Sequence, residues 1–242
     1  MTAHPIPIPR AVERAADPAG LQRLLVWFSP AFPIGAFGFS HGLEWAVEVG
    51  DVRDRGTLHA WIAALLEHGG GWSDAVLLAH AHRGVARAGA RRLRAAAELA
   101  AALQPSRERR LETLTQGAAF LRAVETAWPD NPGLLALRAC WDGPAALPVA
   151  AGAAAAGAGL GLQPALLAAL TAFAGNLVSA ALRLAPVGQS DGLRVMAGLE
   201  NVIAHVAARA AGARLREAGG AAWRADIASM RHETQATRLF RS

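Results

Sequence analysis

The 242-residue sequence contains no lysine and no tyrosine, and it has a single cysteine, Cys140. Without lysine there is no G-x-x-x-x-G-K-[ST] phosphate loop, which excludes a GTPase or ATPase of that class. One cysteine excludes a disulfide within the chain and a metal site built from several thiolates of one chain. Neither a G-x-S-x-G elbow nor an H-E-x-x-H pair is present, so the common serine-hydrolase and zinc-protease motifs are missing as well.

The first ten residues lack a basic segment followed by an apolar one, so we expect no signal peptide. Together with the low cysteine content, this predicts a reducing, cytoplasmic location. Prolines alternate in this stretch, which indicates an extended, poorly ordered N-terminal arm over residues 1–18.

Strand signals are also scarce, because β-branched residues are few and no run alternates with period two. Apolar residues make up 53% of the chain while aromatics are only 6%, so alanine, leucine and valine dominate. We therefore predict an all-α fold, a single-domain bundle of about ten helices over residues 19–218 around a buried apolar central helix. A tail over residues 219–242 follows, and its mixture of arginine and apolar residues favours ordering on a partner.

Residues 143–182 carry no charge at all. Pro164 divides them into an Ala/Gly-rich half and a more apolar half that contains Asn176 and Ser179. A membrane span needs about 20 strongly apolar residues, so we expect no membrane insertion. The second half is predicted to be the central helix, buried on all sides.

The formal charge of +5 comes entirely from arginine. Clusters such as Arg91, Arg92 and Arg94 lie among alanines with no interleaved aromatics to stack on bases. We therefore expect no nucleic-acid binding, and a basic face for an acidic protein partner is favoured instead.

Residues 29–45 read S-P-A-F-P-I-G-A-F-G-F-S-H-G-L-E-W and connect two apolar helical patterns. The prolines disfavour helix before them, the glycines allow positive φ or close approach, and Ser40 is a candidate N-cap. Because phenylalanines gain nothing in water, this segment is either a buried loop or a rigid platform on which something docks. We call residues 32–44 the platform.

The histidines do not form a convincing catalytic or metal site. His80 and His82 are two residues apart on a helix and point to different faces, so they cannot readily share an ion. His41 and Glu44 are expected to form an exposed ion pair, and His232 with Glu233 an interface contact. Cys140 is expected to be a small buried residue. We expect no catalytic residue, no metal site and no cofactor.

Three stretches resemble the UreF family of urease accessory proteins: the segment 29–44 quoted above, L-R-L-A-P-V-G-Q-S-D-G at 182–192, and S-M-R-H-E-T-Q-A-T-R-L-F-R-S at 229–242. The resemblance runs from about residue 21 to the last residue. It implies an all-α, homodimeric protein without catalysis of its own. Such a protein binds the accessory protein UreD (UreH in some organisms), recruits the GTPase UreG, and so helps deliver nickel to apo-urease.

The resemblance also implies two sets of partner-binding residues. The tail set, facing the UreD/UreH-type protein, comprises Met230, Arg231, His232, Glu233, Gln235, Arg238, Leu239, Phe240 and Arg241. The platform and turn set, facing the GTPase or urease, comprises Phe32, Pro33, Gly35, Phe37, Ser40, His41, Gly42, Glu44, Arg183, Gly188, Gln189, Asp191 and Gly192. The sequence departs from the family at Ala236 and Phe39, where tyrosine is common.

Two other functions stay open at this point. One is a regulator of a partner GTPase that supplies an arginine to its nucleotide site. The other is a direct nickel carrier that uses His41, His80, His82 or His232.

Overall fold

The computed structural model describes residues 18–242, and it is all-α, as predicted. The helices are α1 (Pro18–Trp27), α2 (Leu43–Glu48), α3 (Arg55–His68), α4 (Gly70–Ala86), α5 (Ala90–Ala102), α6 (Arg107–Ala127), α7 (Pro132–Cys140), α8 (Leu147–Gly157), α9 (Leu162–Leu184), α10 (Gln189–Gly198), α11 (Glu200–Gly212) and α12 (Trp223–His232). Two short 3-10 helices lie at Ala36–Gly38 and Leu215–Glu217. The arm expected over residues 1–18 lies outside the described residues except for Pro18, the first residue of α1.

The helix at the centre of the fold is α8, and every residue from Pro148 to Ala155 is buried. It packs against α4, α6 and α7. Its small residues permit this, because a Cβ at Gly152 would collide with the backbone carbonyl of Leu78 on α4. An Ala/Gly helix therefore fills the centre, where bulkier side chains would hold the neighbouring helices apart.

The prediction had assigned this central position to the second half of the uncharged stretch, which forms α9, and that assignment is wrong. One side of α9 packs on α4, α10 and α11, while Thr171 and Ser179 are exposed on the other. By length and composition α9 is the one helix among the described residues that is long and apolar enough to cross a membrane. Such a helix is also typical of a soluble core, and 44% of its most apolar stretch is buried here.

The sequence predicts helix starts at Ser106 and at Asn131–Pro132, and both are confirmed. Ser106 caps α6, since its hydroxyl accepts a hydrogen bond from the Arg109 N–H at 3.1 Å. Asn131 caps α7 before Pro132, and its side-chain oxygen accepts from the Gly133 N–H at 2.9 Å. Both show the side-chain oxygen that satisfies free N–H groups at a helix N-terminus.

The sequence also predicts that Ser73 or Asp74 caps a helix and that residues 193–210 form a single helix, and both predictions are wrong. Ser73 and Asp74 do not cap α4, because that helix already begins at Gly70, with only Gly69 between it and the end of α3. The single helix expected from Leu193 to Ala210 is divided at Leu199 into α10 and α11.

The turn between α4 and α5 places a non-glycine residue in the left-handed region. Ala88 has φ of 49°, and the Gly89 N–H donates to the Gly84 carbonyl at 2.7 Å while the Ala88 N–H donates to the Val85 carbonyl at 3.0 Å. These two bonds define a Schellman motif, in which glycine usually occupies the position of Ala88.

We predict that Ala88→Gly raises the free energy of unfolding by about 1 kcal/mol, because it removes the steric cost of a left-handed alanine. The measurement is urea unfolding followed by circular dichroism. Ala204→Gly, at an exposed site inside α11, is the control and should lower stability by about 1 kcal/mol. Destabilisation by Ala88→Gly of the same size as in the control would contradict the strain.

Candidate functional site

The buried side of α6 carries an ion pair. Arg109 and Glu112 contact each other directly one helical turn apart, and they are only 6% and 2% exposed. The Gln116 side-chain amide donates to Glu112 Oε1 at 2.9 Å. The sequence predicts an amphipathic helix here, with Leu111 on its apolar side and Arg109 and Glu112 on its polar side. That assignment is wrong for these three residues, because Arg109 and Glu112 are buried whereas Leu111 is 57% exposed.

His41 is buried against this pair. Its Nε2 donates to Glu112 Oε1 at 2.8 Å, and its ring meets the Phe173 ring edge-on at 4.9 Å. The predicted exposed pair with Glu44 is therefore wrong. His41 has φ of 57°, which directs the backbone before α2 so that the ring points at α6.

The charges at this centre follow from burial and from Arg109. Burial lowers the pKa of His41 most and Arg109 lowers it further, whereas the Glu112 carboxylate raises it in part. Burial alone would raise the pKa of Glu112, but Arg109 and His41 outweigh it and bring that pKa to about 2. Glu112 is therefore an ionised carboxylate throughout the physiological range.

The Glu44 carboxylate accepts hydrogen bonds from the backbone of the C-terminal tail. Its Oε1 accepts from the Leu239 N–H at 2.6 Å, and its Oε2 accepts from the Phe240 N–H at 3.0 Å. Two backbone donors that follow each other in the chain thus share one carboxylate. This geometry fixes both the position and the direction of residues 239–240.

His232 joins α12 to the same centre. Its ring is fully buried, with Nδ1 2.7 Å from Glu108 Oε2 and Nε2 3.0 Å from Glu44 Oε2. Each ring nitrogen therefore lies within hydrogen-bond distance of a carboxylate oxygen from a different helix. His232 was expected to pair with Glu233 at an interface, but it ties α12 to α2 and α6 of its own chain.

The remaining tail contacts also lie within the chain. Arg238 donates to Glu108 Oε1 at 2.8 Å, and the Arg183 guanidinium lies 4.2 Å from the centroid of the buried Phe240 ring. The Ser242 carbonyl accepts from the Ser40 N–H at 2.6 Å, and the Ser242 hydroxyl donates to Glu112 at 3.0 Å. Residues 232–242 therefore pack on the platform, α2, α6 and α9.

The platform is both a buried loop and a docking surface for this tail. Phe32 and Phe39 are buried, whereas Phe37 is 72% exposed. Gly42 has φ of 76°, and a Cβ there would lie 2.6 Å from the Ser229 backbone nitrogen on α12. Glycine at this position thus serves both the turn and the close approach of α12.

The turn at 188–192 does not join the tail contacts. Asp191 pairs with Arg194 at 2.9 Å and lies 3.6 Å from Arg55 on α3, while Gly192 packs against Val178 and Leu182 on α9. Gly188 and Gln189 are exposed at the start of α10. Of the platform and turn set, the structure brings Ser40, Gly42, Glu44 and Arg183 to the tail, and His41 to Glu112.

Three central residues, Glu108, Arg109 and Glu112, were absent from the predicted site. The signal for them was the spacing of Thr113, Gly117 and Phe120, which marks the buried side of α6. A Cβ at Gly117 would collide with the backbone carbonyl of Ala145, so this face of α6 lies directly against another segment.

His80 and His82 bond two different backbone carbonyls. His80 Nε2 bonds the Ala213 carbonyl at 3.1 Å and His82 Nε2 bonds the Leu160 carbonyl at 2.8 Å, so the prediction that they face different ways is confirmed. Cys140 is half-buried rather than fully buried, and its thiol donates to the Leu137 carbonyl. In residues 18–242 no group of three or more His, Cys, Asp or Glu side chains is arranged to hold a metal ion.

Fold and site together define a class: an all-α protein whose buried polar centre fixes the position of its own C-terminal tail. The UreF family model matches residues 52–200 of the chain. The urease accessory protein UreF of Rhodopseudomonas palustris strain BisB5 is 52% identical over 228 residues, covering 94% of this chain and 93% of that protein. Its counterpart in Bradyrhizobium sp. strain BTAi1 is 49% identical over 245 residues, covering all of both. The chain belongs to the UreF family of urease accessory proteins.

Two further carboxyl groups, those of Asp74 and Asp226, lie near Arg109 in addition to Glu112. Burial raises the pKa of Asp74 on α4 to about 6, with Arg109 opposing and Glu112 reinforcing the change. Burial also raises the pKa of Asp226 on α12, again against Arg109. Because Glu112 contacts Arg109 directly, Asp74 is ionised at a cost to the folded state.

We predict that Asp74→Asn stabilises the protein at pH 8 by about 1 kcal/mol. Two pKa units correspond to about 3 kcal/mol, and partial exposure of Asp74 reduces that. The folded pKa lies above the ordinary 3.8, so the folded state binds the proton more tightly. The cost is therefore complete above about pH 7 and disappears as the pH falls below about 4.

Urea unfolding of wild type and Asp74→Asn at pH 8 and pH 4 measures this difference. Asp130→Asn, at an exposed carboxylate, is the control and should match wild type at both values. An equal stability difference for Asp74→Asn at both pH values would show that the charge of Asp74 is not responsible.

Proposed function

We propose that this chain is a non-catalytic scaffold for nickel insertion into apo-urease. It binds a UreD/UreH-type accessory protein through its C-terminal tail and recruits a UreG-type GTPase, acting as a homodimer. The observation that carries the proposal is the difference between the two sides of α12 and the tail, one facing the polar centre and one facing solvent. Ser229, His232 and Ser242 are buried on the side that faces the centre described above, whereas several large apolar side chains face solvent.

The outward side chains on α12 share one face of the helix. Trp223, Ile227 and Met230 are 68%, 54% and 50% exposed and follow the spacing i, i+4, i+7. Leu239, beyond the helix, is 62% exposed. Exposed apolar clusters of this kind are typical of protein interaction sites. We call these four residues the outer stripe.

The docked tail explains how such a stripe would be presented to a partner. The bonds from Glu44 fix the backbone on which Leu239 is carried, so little ordering entropy remains to be lost on binding. Arg238 and Phe240, two members of the tail set, contact Glu108 and Arg183 of the chain itself. The proposal therefore assigns the anchoring role to Leu239 and to the outward face of α12.

The histidine contacts favour this proposal over a direct nickel carrier. His41, His80, His82 and His232 each bond a carboxylate or a backbone carbonyl of the chain through at least one ring nitrogen. For the GTPase or urease, the surfaces that remain as candidates are the exposed Phe37 of the platform and the turn at 188–192.

We predict that Ile227→Ser/Met230→Ser/Leu239→Ser weakens binding to the cognate UreD/UreH-type protein by about 100-fold, as expected for loss of two or three anchors. Co-purification and light scattering of the mixed proteins measure affinity and stoichiometry. These substitutions leave the inner contacts of His232 and Phe240 intact. They are therefore sharper than truncation at Ser229, which would strand Glu44 and Glu108 without their partners.

The matched control is Leu111→Ser/Leu135→Ser/Leu193→Ser, which removes three exposed leucines from α6, α7 and α10. It should bind as wild type does, and both variants should keep the wild-type melting temperature. Undiminished binding by the outer-stripe variant, or an equal loss in the control, would contradict the assignment of the tail surface.

A further inference from the structure

A second charged feature lies at the corner between α4 and α5, away from the helices that hold the tail. Four arginines fall within ten residues of sequence around the Schellman turn: Arg83, Arg87, Arg91 and Arg92. The last three are exposed and Arg83 is half-buried. Helix α5 packs on α4, α7 and α8, whereas the tail lies on α2, α6 and α9. We call these four residues the arginine corner.

The positive charges of this corner are not balanced locally. Among the ion pairs of the described residues, none includes a member of the arginine corner, although Arg94 farther along α5 pairs with Glu98 at 2.8 Å. Arg83 instead donates to the Ala211 and Ala213 carbonyls at 2.8 Å each. Burial lowers the pKa of Arg83, and the charges of Arg92 and Arg87 lower it further. The guanidinium groups of Arg92 and Arg87 are therefore close enough to Arg83 to repel its positive charge.

The start of α5 adds to the same positive field. Its N-cap is Gly89, which offers no side chain to bond the free N–H groups, and its first turn contains no acidic residue. Arg91 and Arg92 occupy that turn, where carboxylates are normally favoured by the helix dipole. The Arg92 N–H already donates to the Gly89 carbonyl at 2.9 Å. The donors that suit an anionic ligand are therefore the N–H groups of Ala90 and Arg91 and the guanidinium groups.

We propose that the arginine corner binds an acidic polypeptide segment of a partner protein. Guanidinium forks match carboxylates in a bidentate geometry, and the three exposed ones are carried on adjacent ends of two helices. Residues 83–94 contain no aromatic side chain on which a base could stack, so the corner fits nucleic acid less well. The proposal is independent of the tail surface, since it uses different helices.

Fluorescence anisotropy with the full chain and a fluorescein-labelled ten-residue polyglutamate peptide tests this at low salt. Arg87→Gln/Arg91→Gln/Arg92→Gln should weaken binding by about tenfold or more, as loss of three charge-assisted contacts implies. The control Arg55→Gln/Arg122→Gln/Arg194→Gln makes the same change in net charge at exposed sites on other helices and should keep wild-type affinity. The corner variant should melt no lower than wild type, because it loses mutual repulsion.

Three results would overturn the proposal. The first is wild-type protein that does not bind the peptide. The second is a control variant that loses as much affinity as the corner variant, which would reduce the effect to net charge. The third is an oligothymidylate of equal charge that binds more tightly than polyglutamate through the same arginines, which would assign the corner to nucleic acid.

Discussion

The structure around the tail depends on the buried contact between Arg109 and Glu112. An ion pair removed from water is costly unless its remaining lone pairs and N–H groups find partners. Glu112 finds them in His41 of the platform, in Gln116 on the next turn of α6, and in Ser242 of the tail. Each of these segments is therefore held in position, because the buried Glu112 carboxylate would lose a hydrogen-bond partner if the segment moved away.

The tail is therefore part of the helical domain and supplies some of the residues of its polar centre. Glu44 and Glu108 bind it through backbone N–H groups, His232 and Arg238, and Phe240 fills the space beneath Arg183. Polar contacts face inward and the outer stripe faces solvent. Because the backbone is already fixed, the surface offered to a partner is preorganised.

The sequence allowed the helical class, the family resemblance and those helix starts that depend on neighbouring residues to be predicted, as Ser106 and Asn131 show. It did not reveal the partner of His41, because a local pattern points to Glu44 three residues away while the true partner, Glu112, is 71 positions away in the chain. The choice between α8 and α9 as the central helix failed for a related reason. Hydrophobicity favoured α9, but the close approach of α4 and α7 required the small side chains of α8.

For the tail, the sequence allowed a partner-binding segment to be proposed, but it did not show which side chains of that segment face outward. Tail residues were identified from the resemblance, but which of them point inward is decided by the two glutamates on α2 and α6, which a pattern of neighbours cannot reveal. Met230 and His232 are two positions apart on α12, and one is exposed while the other is fully buried.

Hydrogen exchange at the Leu239 and Phe240 amides tests the central claim most directly, because both N–H groups end on Glu44 within the centre that Glu112 organises. The account predicts strong protection of both amides in wild type and in Glu98→Gln, which alters an exposed pair. In Glu112→Gln it predicts loss of that protection, while the amides of α8 stay protected. Tail amides that exchange freely in wild type, or that remain equally protected in Glu112→Gln, would contradict it.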